Sequence, residues 1–134
     1  MTDDVVVCGA HDTLERAAHL MWDRDVGCLP VVDAVGGLLG IVTDRDVALT
    51  AYRRGLPLRE IPVSMAMAPR VYVCAPDDEV GVAAHTMSVR RVRRLPVIDD
   101  AGHVVGVVSL DDLPTSSVGT TLAAVIGAEA EAEG

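Results

Sequence analysis

Lysine and phenylalanine are missing from this chain, and its aromatic residues are one tryptophan and two tyrosines among 134 residues. Without lysine, eleven arginines carry all the fixed positive charge against twenty acids, for a net charge of −9. A chain of that sign is repelled on average by nucleic acid and by anionic membranes, so neither is an expected partner. No apolar run approaches the roughly 20 residues of a membrane span. The amino terminus, MTDDVVV, lacks a basic n-region. It does not read as a secretory signal, and a cytoplasmic setting is expected. There is no nucleophile elbow, P-loop or HExxH, and the acidic pairs Asp99-Asp100 and Asp111-Asp112 stand at turn or cap positions. The chain is therefore not expected to be an enzyme.

Cysteine is also scarce. Cys8, Cys28 and Cys74 form an odd set with no CxxC spacing, which fits three small buried hydrophobes in a reducing compartment. A Cys8–Cys28 disulfide stays open if the first strand lies beside the start of the second.

What the chain does contain, it contains twice. Residues 7–47 align without a gap on residues 73–113, with a constant offset of 66 and about 17 of 41 positions identical. Half the residues are apolar, enough for a compact core. In the first copy Val5–Val7 reads as a strand. Asp12 and Glu15 have the form of a capping box, and Leu14, Ala17, Ala18, Met21 and Trp22 form one helical stripe ending near Gly27. Residues 29–32 and 38–42 read as a hairpin around Asp33–Gly37. A second helix is expected from about Asp44 to Arg54, stopping at Gly55. The second copy repeats the order: a strand at Val71–Val73, a helical stripe through Val80, Ala83, Ala84 and Met87, and a hairpin around Asp99–His103. Pro114 should end its last helix early, and helix is expected to resume over residues 121–131. The organisation is a first repeat (1–55), a Pro-punctuated connector (56–70) with a turn of helix near Val63–Met67, and a second repeat (71–134) with an acidic tail. The fold class is α/β of the α+β kind: two β-α-β-β-α repeats with pseudo-twofold symmetry.

Each hairpin ends in the same pattern, G-h-h-[ST]-x-x-D: Gly40-Ile-Val-Thr43-Asp-Arg-Asp46 and Gly106-Val-Val-Ser109-Leu-Asp-Asp112. Taken alone, [ST]-x-x-D before a helix is a capping box. A second reading is compatible with the first. A carboxylate accepts from two vicinal hydroxyls of a ribose, a Thr or Ser hydroxyl donates to a sugar or phosphate oxygen, and a helix N-terminus offers N–H groups to an anion. Four of the eleven arginines fall in Arg90-Arg91-Val92-Arg93-Arg94. That is either a solvated helix end or the basic spot that a small anion needs. His19 and His85, equivalent in the repeat, read as partly buried histidines at a helix seam rather than metal ligands, since neither has a second histidine or cysteine at i+3 or i+4.

The β-α-β-β-α order, the strands LPVVD and LPVID, and the paired G-h-h-[ST]-x-x-D ends closely resemble a cystathionine-β-synthase (CBS) domain pair. The resemblance runs from about Val5 to Leu113. It implies a stand-alone regulatory or energy-sensing module that binds an adenosyl nucleotide (AMP, ADP, ATP or S-adenosylmethionine) in clefts between the copies and requires no cofactor. It implies that Asp46 and Asp112 hold ribose with Thr43 and Ser109 beside them, and that adenine lies among apolar strand residues. Arg93 and Arg94 map onto the phosphates of the Asp46 cleft. The matching Gly27 and Cys28 carry no charge, so the two clefts should be unequal. A homodimer with seams at Ala17, Ala18, Ala83 and Ala84, and an effector protein of unknown identity, are the expected partners. The alternative is a stress-associated structural or interaction protein with vestigial clefts and a Cys/His metal or disulfide feature.

Overall fold

The two L-P-V segments each form one arm of a hairpin, and the rest of each repeat is built against it. A computed structural model describes residues 5–69, 72–113 and 119–126, without the side chain of Asp112. The chain divides into two compact units, with Val6–Val71 as one and Tyr72 onward as the core of the other.

The first unit runs β1 (Cys8–Gly9), α1 (Leu14–Arg24), β2 (Cys28–Val32), β3 (Leu38–Thr43) and α2 (Asp44–Arg54), then two 3-10 turns, Leu58–Glu60 and Val63–Met65. Its sheet has the order β1-β2-β3, with β1 parallel and β3 antiparallel to β2. The second unit runs α3 (Val80–Arg90), β4 (Arg94–Ile98) and β5 (Val104–Ser109), then a 3-10 turn, Leu110–Asp112. Cys74 bridges Val97 in parallel, as Cys8 pairs with Val31. In both units the first strand therefore sits at the cysteine, later than the valines that precede it. Proline is tolerated in β4 because, among the described residues, the neighbour on that side is this short. The Pro96 carbonyl accepts from Cys74 N and the Cys74 carbonyl from Ile98 N, so no partner awaits the missing N–H.

The repeat is visible in the packing. Leu14, Ala17, Met21, Leu29, Val31 and Val42 line the first core; Val80, Ala83, Met87, Leu95, Val97 and Val108 line the second. Ala17 and Ala83 are fully enclosed in their own cores and have no surface to give to a seam with another molecule. His19 and His85 are exposed rather than half-buried. Trp22, placed by periodicity on the apolar stripe, is 88% exposed. The buried stripe of α1 is Leu14, Ala17 and Met21, and α1 is capped one residue later than Asp12. Thr13 is the N-cap and its hydroxyl accepts from Arg16 N. Asp12 instead accepts from Gly9 N at 2.8 Å, as Asp78 does from Ala75 N at 2.9 Å. Asp25 and Arg91 take the left-handed position after α1 and α3, the place expected for Gly27. At the end of α2, Gly55 does so with φ 65°.

A third duplicated contact lies downstream of each hairpin. Leu14 N donates to Ile61 O, Val63 N to Asp12 O and Ser64 N to Ala10 O; in the second unit Val80 N donates to Thr120 O, Leu122 N to Asp78 O and Ala123 N to Pro76 O. Ile61, Val63 and Leu122 are fully buried. Residues 61–64 and 120–123 thus clamp the same end of the first helix. The offset falls from 66 to 59 because the second unit has a 3-10 turn where the first has α2. The clamp runs close to the sheet: a Cβ on Gly40 would meet the Ala68 carbonyl at 2.5 Å, and one on Gly106 the Ile126 side chain at 2.8 Å. Residues 122–126 are helical; the remainder of the helix expected to 131, and the loop at 114–118, lie outside the described residues. Among the described residues no helix is long and apolar enough to cross a membrane.

Cys8, Cys28 and Cys74 are reduced and buried, so the Cys8–Cys28 disulfide does not form. The register explains why. Cys8 pairs with Val31, three residues along β2 from Cys28, about 10 Å at the rise of a strand, beyond the roughly 7 Å limit for a bridge. Burial, and secondarily the Asp12 and Asp78 carboxylates, push the Cys8 and Cys74 thiols up from 9.0 to about 12. The folded state holds these protons more tightly than the unfolded chain. Stability is complete below pH 9 and falls as pH rises from 9 toward 12. Melting temperature measured across that window is expected to drop, and to drop less steeply in a Cys8→Ala/Cys74→Ala double variant; equal slopes would refute this origin.

Candidate functional site

The strand-to-helix junction of the first unit is closed by its own residues. Thr43 is the N-cap of α2, its hydroxyl accepting from Asp46 N at 3.1 Å while Asp46 Oδ2 accepts from Thr43 N at 2.9 Å. The capping-box reading of the motif therefore holds. The remaining early donors are also taken: Asp44 N by Gly27 O at 3.0 Å, and Arg45 N by Asp44 Oδ1 at 2.8 Å. An α-helix opens with four N–H groups lacking intrahelical partners, and here all four are satisfied. The helix end expected to cradle an anion has no donor left, and Asp44 and Asp46 already answer its dipole. What remains is the Asp46 carboxylate and the exposed side chain of Arg45. Asp46 is half-buried and held through one oxygen, and a carboxylate with two oxygens has accepting capacity beyond one bond. Its fixed rotamer suits a pair of hydroxyls better than a phosphate.

The second junction shares the backbone plan and differs in chemistry. Leu110 N donates to Arg93 O at 2.8 Å, the counterpart of Asp44 N to Gly27 O. Ser109 makes no side-chain cap. Leu113, ahead of Pro114, is extended with φ −78° and ψ 137°, as a residue before proline prefers, so only a 3-10 turn forms. Asp112 ends that turn, and its side chain lies outside the described residues. Arg94 is the register partner of Ser109, and paired residues on antiparallel strands share a face about 5 Å apart. Arg93 reaches Asp111 of its own unit, Nη2 to Oδ1 at 2.5 Å, with both side chains well exposed (63% and 71%). The sequence reading missed this pair. The shift of charge at equivalent positions, Gly27 and Arg45 in one copy against Arg93 and Asp111 in the other, was the available signal. Arg90 lies over the Tyr72 ring, 4.7 Å from its centre, a cation–π contact that holds the base of the arginine run.

Of the six residues expected to bind ligand, the structure brings together Thr43 with Asp46 in one unit and Ser109 with Arg94 in the other. Among the described residues no group of three His, Cys, Asp or Glu side chains could hold a metal ion.

The family model described as CBS domain matches residues 1–51 and 58–115. The chain belongs to the CBS domain family. The CBS domain-containing protein YhcV of Bacillus subtilis is 35% identical over 118 residues, covering 88% of this chain and 82% of that protein. The inosine-5'-monophosphate dehydrogenase of Methanocaldococcus jannaschii is 34% identical over 111 residues, 82% of this chain but 21% of the enzyme. Among solved structures, the CBS domain pair of protein MJ0100, in complex with 5'-methylthioadenosine and S-adenosyl-L-methionine, superposes with a TM-score of 0.71, with 27% identity, over 80% of this chain and 86% of that one.

The unequal caps have a measurable consequence. Thr43→Ala is expected to cost about 1 kcal/mol, while Ser109→Ala, which breaks no cap, should stay within about 0.5 kcal/mol. Urea unfolding of both variants checks this, and equal losses would show that the second junction is capped after all.

Proposed function

We propose that this CBS pair is a non-catalytic regulatory module that binds one adenosyl nucleotide, with Asp46 holding the ribose diol and Thr43 beside it. The half-buried Asp46 carboxylate, fixed by one oxygen at the junction, carries this reading. The ligands of the MJ0100 pair, both adenosyl compounds, support the ligand class, and the one-fifth share of the dehydrogenase that matches supports a module appended to other activities. On the family pattern Arg93 and Arg94 serve the phosphate end of the Asp46 ligand. Ser109 and Asp112 form the second, weaker site. A cytoplasmic setting and an effector protein that reads the module belong to the same proposal.

The partner we assign to the first unit's surface is a second copy of the chain. A groove of about 470 Å³ lies there, floored by Met21 and Val47 and walled by Ala18, Trp22, Val26 and Ala48. Trp22 is 88% and Tyr52 85% exposed, and Tyr52 follows Ala48 by one turn on the same face of α2. Two such aromatics present roughly 300–400 Å², close to half of the roughly 800 Å² per partner in a standard interface. Aromatics so rare in the sequence and so exposed in the fold are the residue types that anchor interfaces.

Two measurements test these assignments. In thermal-shift titrations AMP, ADP, ATP or S-adenosylmethionine should raise the melting temperature, with stabilisation near 2.7 kcal/mol at 100 times Kd. Asp46→Asn, which keeps a cap acceptor, should fold normally and lose about tenfold or more in affinity. Response to zinc alone would favour the interaction-protein alternative. In sedimentation, the wild type is expected as a dimer and Trp22→Glu as a folded monomer; a monomeric wild type at micromolar concentration would refute the groove's assignment.

A further inference from the structure

We infer that two copies of the chain meet through the first unit with α1 of each copy lying against α2 of the other, a pairing selected by charge; the inference rests on the second-copy reading of the groove above. The observation that carries it is an inversion of sign. α1 (Leu14–Arg24) and α2 (Asp44–Arg54) are both 11 residues long and align at an offset of 30. Buried Ala17 falls on buried Val47, and exposed Trp22 on exposed Tyr52. The charges do the reverse. Glu15 falls on Arg45, Arg16 on Asp46 and Asp23 on Arg53.

Positions i, i+4, i+7 and i+8 of a helix share one face. Glu15, His19, Trp22 and Asp23 therefore share the outer face of α1, and Arg45, Leu49, Tyr52 and Arg53 that of α2; all eight are exposed. The groove lies between the two helices, lined by Ala18 and Trp22 from α1 and by Val47 and Ala48 from α2. One of its flanks is acidic and the other basic. Asp23 also lies 3.6 Å from Arg24 Nε, with both side chains more than half exposed, and such a pair holds a carboxylate only weakly. A twofold dimer is isologous, so each contact is made twice with the roles of the copies exchanged. Pairing α1 with α1 would set acids against acids, and α2 with α2 arginines against arginines. Pairing α1 with α2 sets Glu15 and Asp23 against Arg45 and Arg53. It does so whichever way the helices run, because each flank carries one sign at both ends. The net charge of −9 opposes self-association at long range. The inverted flanks are the local feature that makes another copy a complementary surface, and a face of a single sign a poor one.

Sedimentation equilibrium of four chains tests this: the wild type, Glu15→Arg/Asp23→Arg, Arg45→Glu/Arg53→Glu, and the chain with all four changes. Circular dichroism checks that each is folded. Each two-residue variant should weaken the dimer about tenfold or more, at roughly twofold for each of four exposed pairs. The first should do so although exchanging two acids for two arginines moves the net charge from −9 to −5, which by itself favours association. The four-residue chain keeps the net charge and should dimerise like the wild type. Mixed with isotope-labelled wild type, it should give homodimers and few heterodimers in native mass spectrometry, because mixing sets acid against acid and arginine against arginine. This self-sorting decides the pairing even where a two-residue variant fails to fold. Two-residue variants that dimerise at wild-type strength, a four-residue chain that stays monomeric, or one that mixes freely with the wild type would overturn the pairing while leaving the second-copy reading intact. A monomeric wild type at micromolar concentration would overturn both.

Discussion

One backbone hydrogen bond in each unit sets the geometry on which the rest of the candidate site depends. Asp44 N donates to Gly27 O in the first unit, and Leu110 N to Arg93 O in the second. Each bond joins the residue that enters the hairpin to the residue that leaves it, across the open ends of β2 and β3 or of β4 and β5. It uses main-chain atoms only, so it survives exchange of side chains at the four positions, proline at the two donors apart. The side chains at 27 and 45, or at 93 and 111, are therefore brought to one place by the fold and are open to change their chemistry. The first unit has a glycine and an exposed arginine there; the second has an arginine locked to an aspartate.

The same scaffold thus gives two different ends. α2 is a full helix of 11 residues with a reciprocal cap, and its first turn is acidic and saturated with hydrogen bonds. Its counterpart is a three-residue 3-10 turn without a side-chain cap, beside a run of arginines. A hydroxyl and a carboxylate recur at both ends, but the first carries the exposed Arg45 and the second a run of arginines. Ribose recognition needs acceptors held still, and the capping box holds Asp46 still. Phosphate recognition needs donors or cations, and the main-chain N–H groups of the helix end are already taken.

Much of this was readable in the residues because it is local. The hairpins followed from apolar runs around Asp33–Gly37 and Asp99–His103, where Asp33 and Asp99 each accept from two backbone N–H groups of their own turn. Thr43 and Asp46 carried the cap in their spacing, and Gly55 and Pro114 marked where helix stops. The misreadings have a common physical source, which is competition between neighbours. Asp12 and Thr13 both suit an N-cap, and Asp12 was drawn instead to Gly9 N. Trp22 suits the apolar stripe, yet Met21 fills the core beside it. The clamps at residues 61–64 and 120–123 were invisible because they act through main-chain atoms, and no residue is identical between 61–67 and 120–126 at the offset of 59. The Arg93–Asp111 pair escaped because surface ion pairs follow from tertiary placement, not from periodicity.

Regulation by such a module requires more than binding. A ligand held by Asp46 and Thr43 alone would touch one unit, and its affinity would be the same in every arrangement of the two units. Such a ligand shifts no equilibrium however tightly it binds. Only a contact whose strength differs between arrangements makes affinity depend on arrangement. A charge-assisted bond of about 1.5–3 kcal/mol bounds the shift at roughly ten- to a hundredfold.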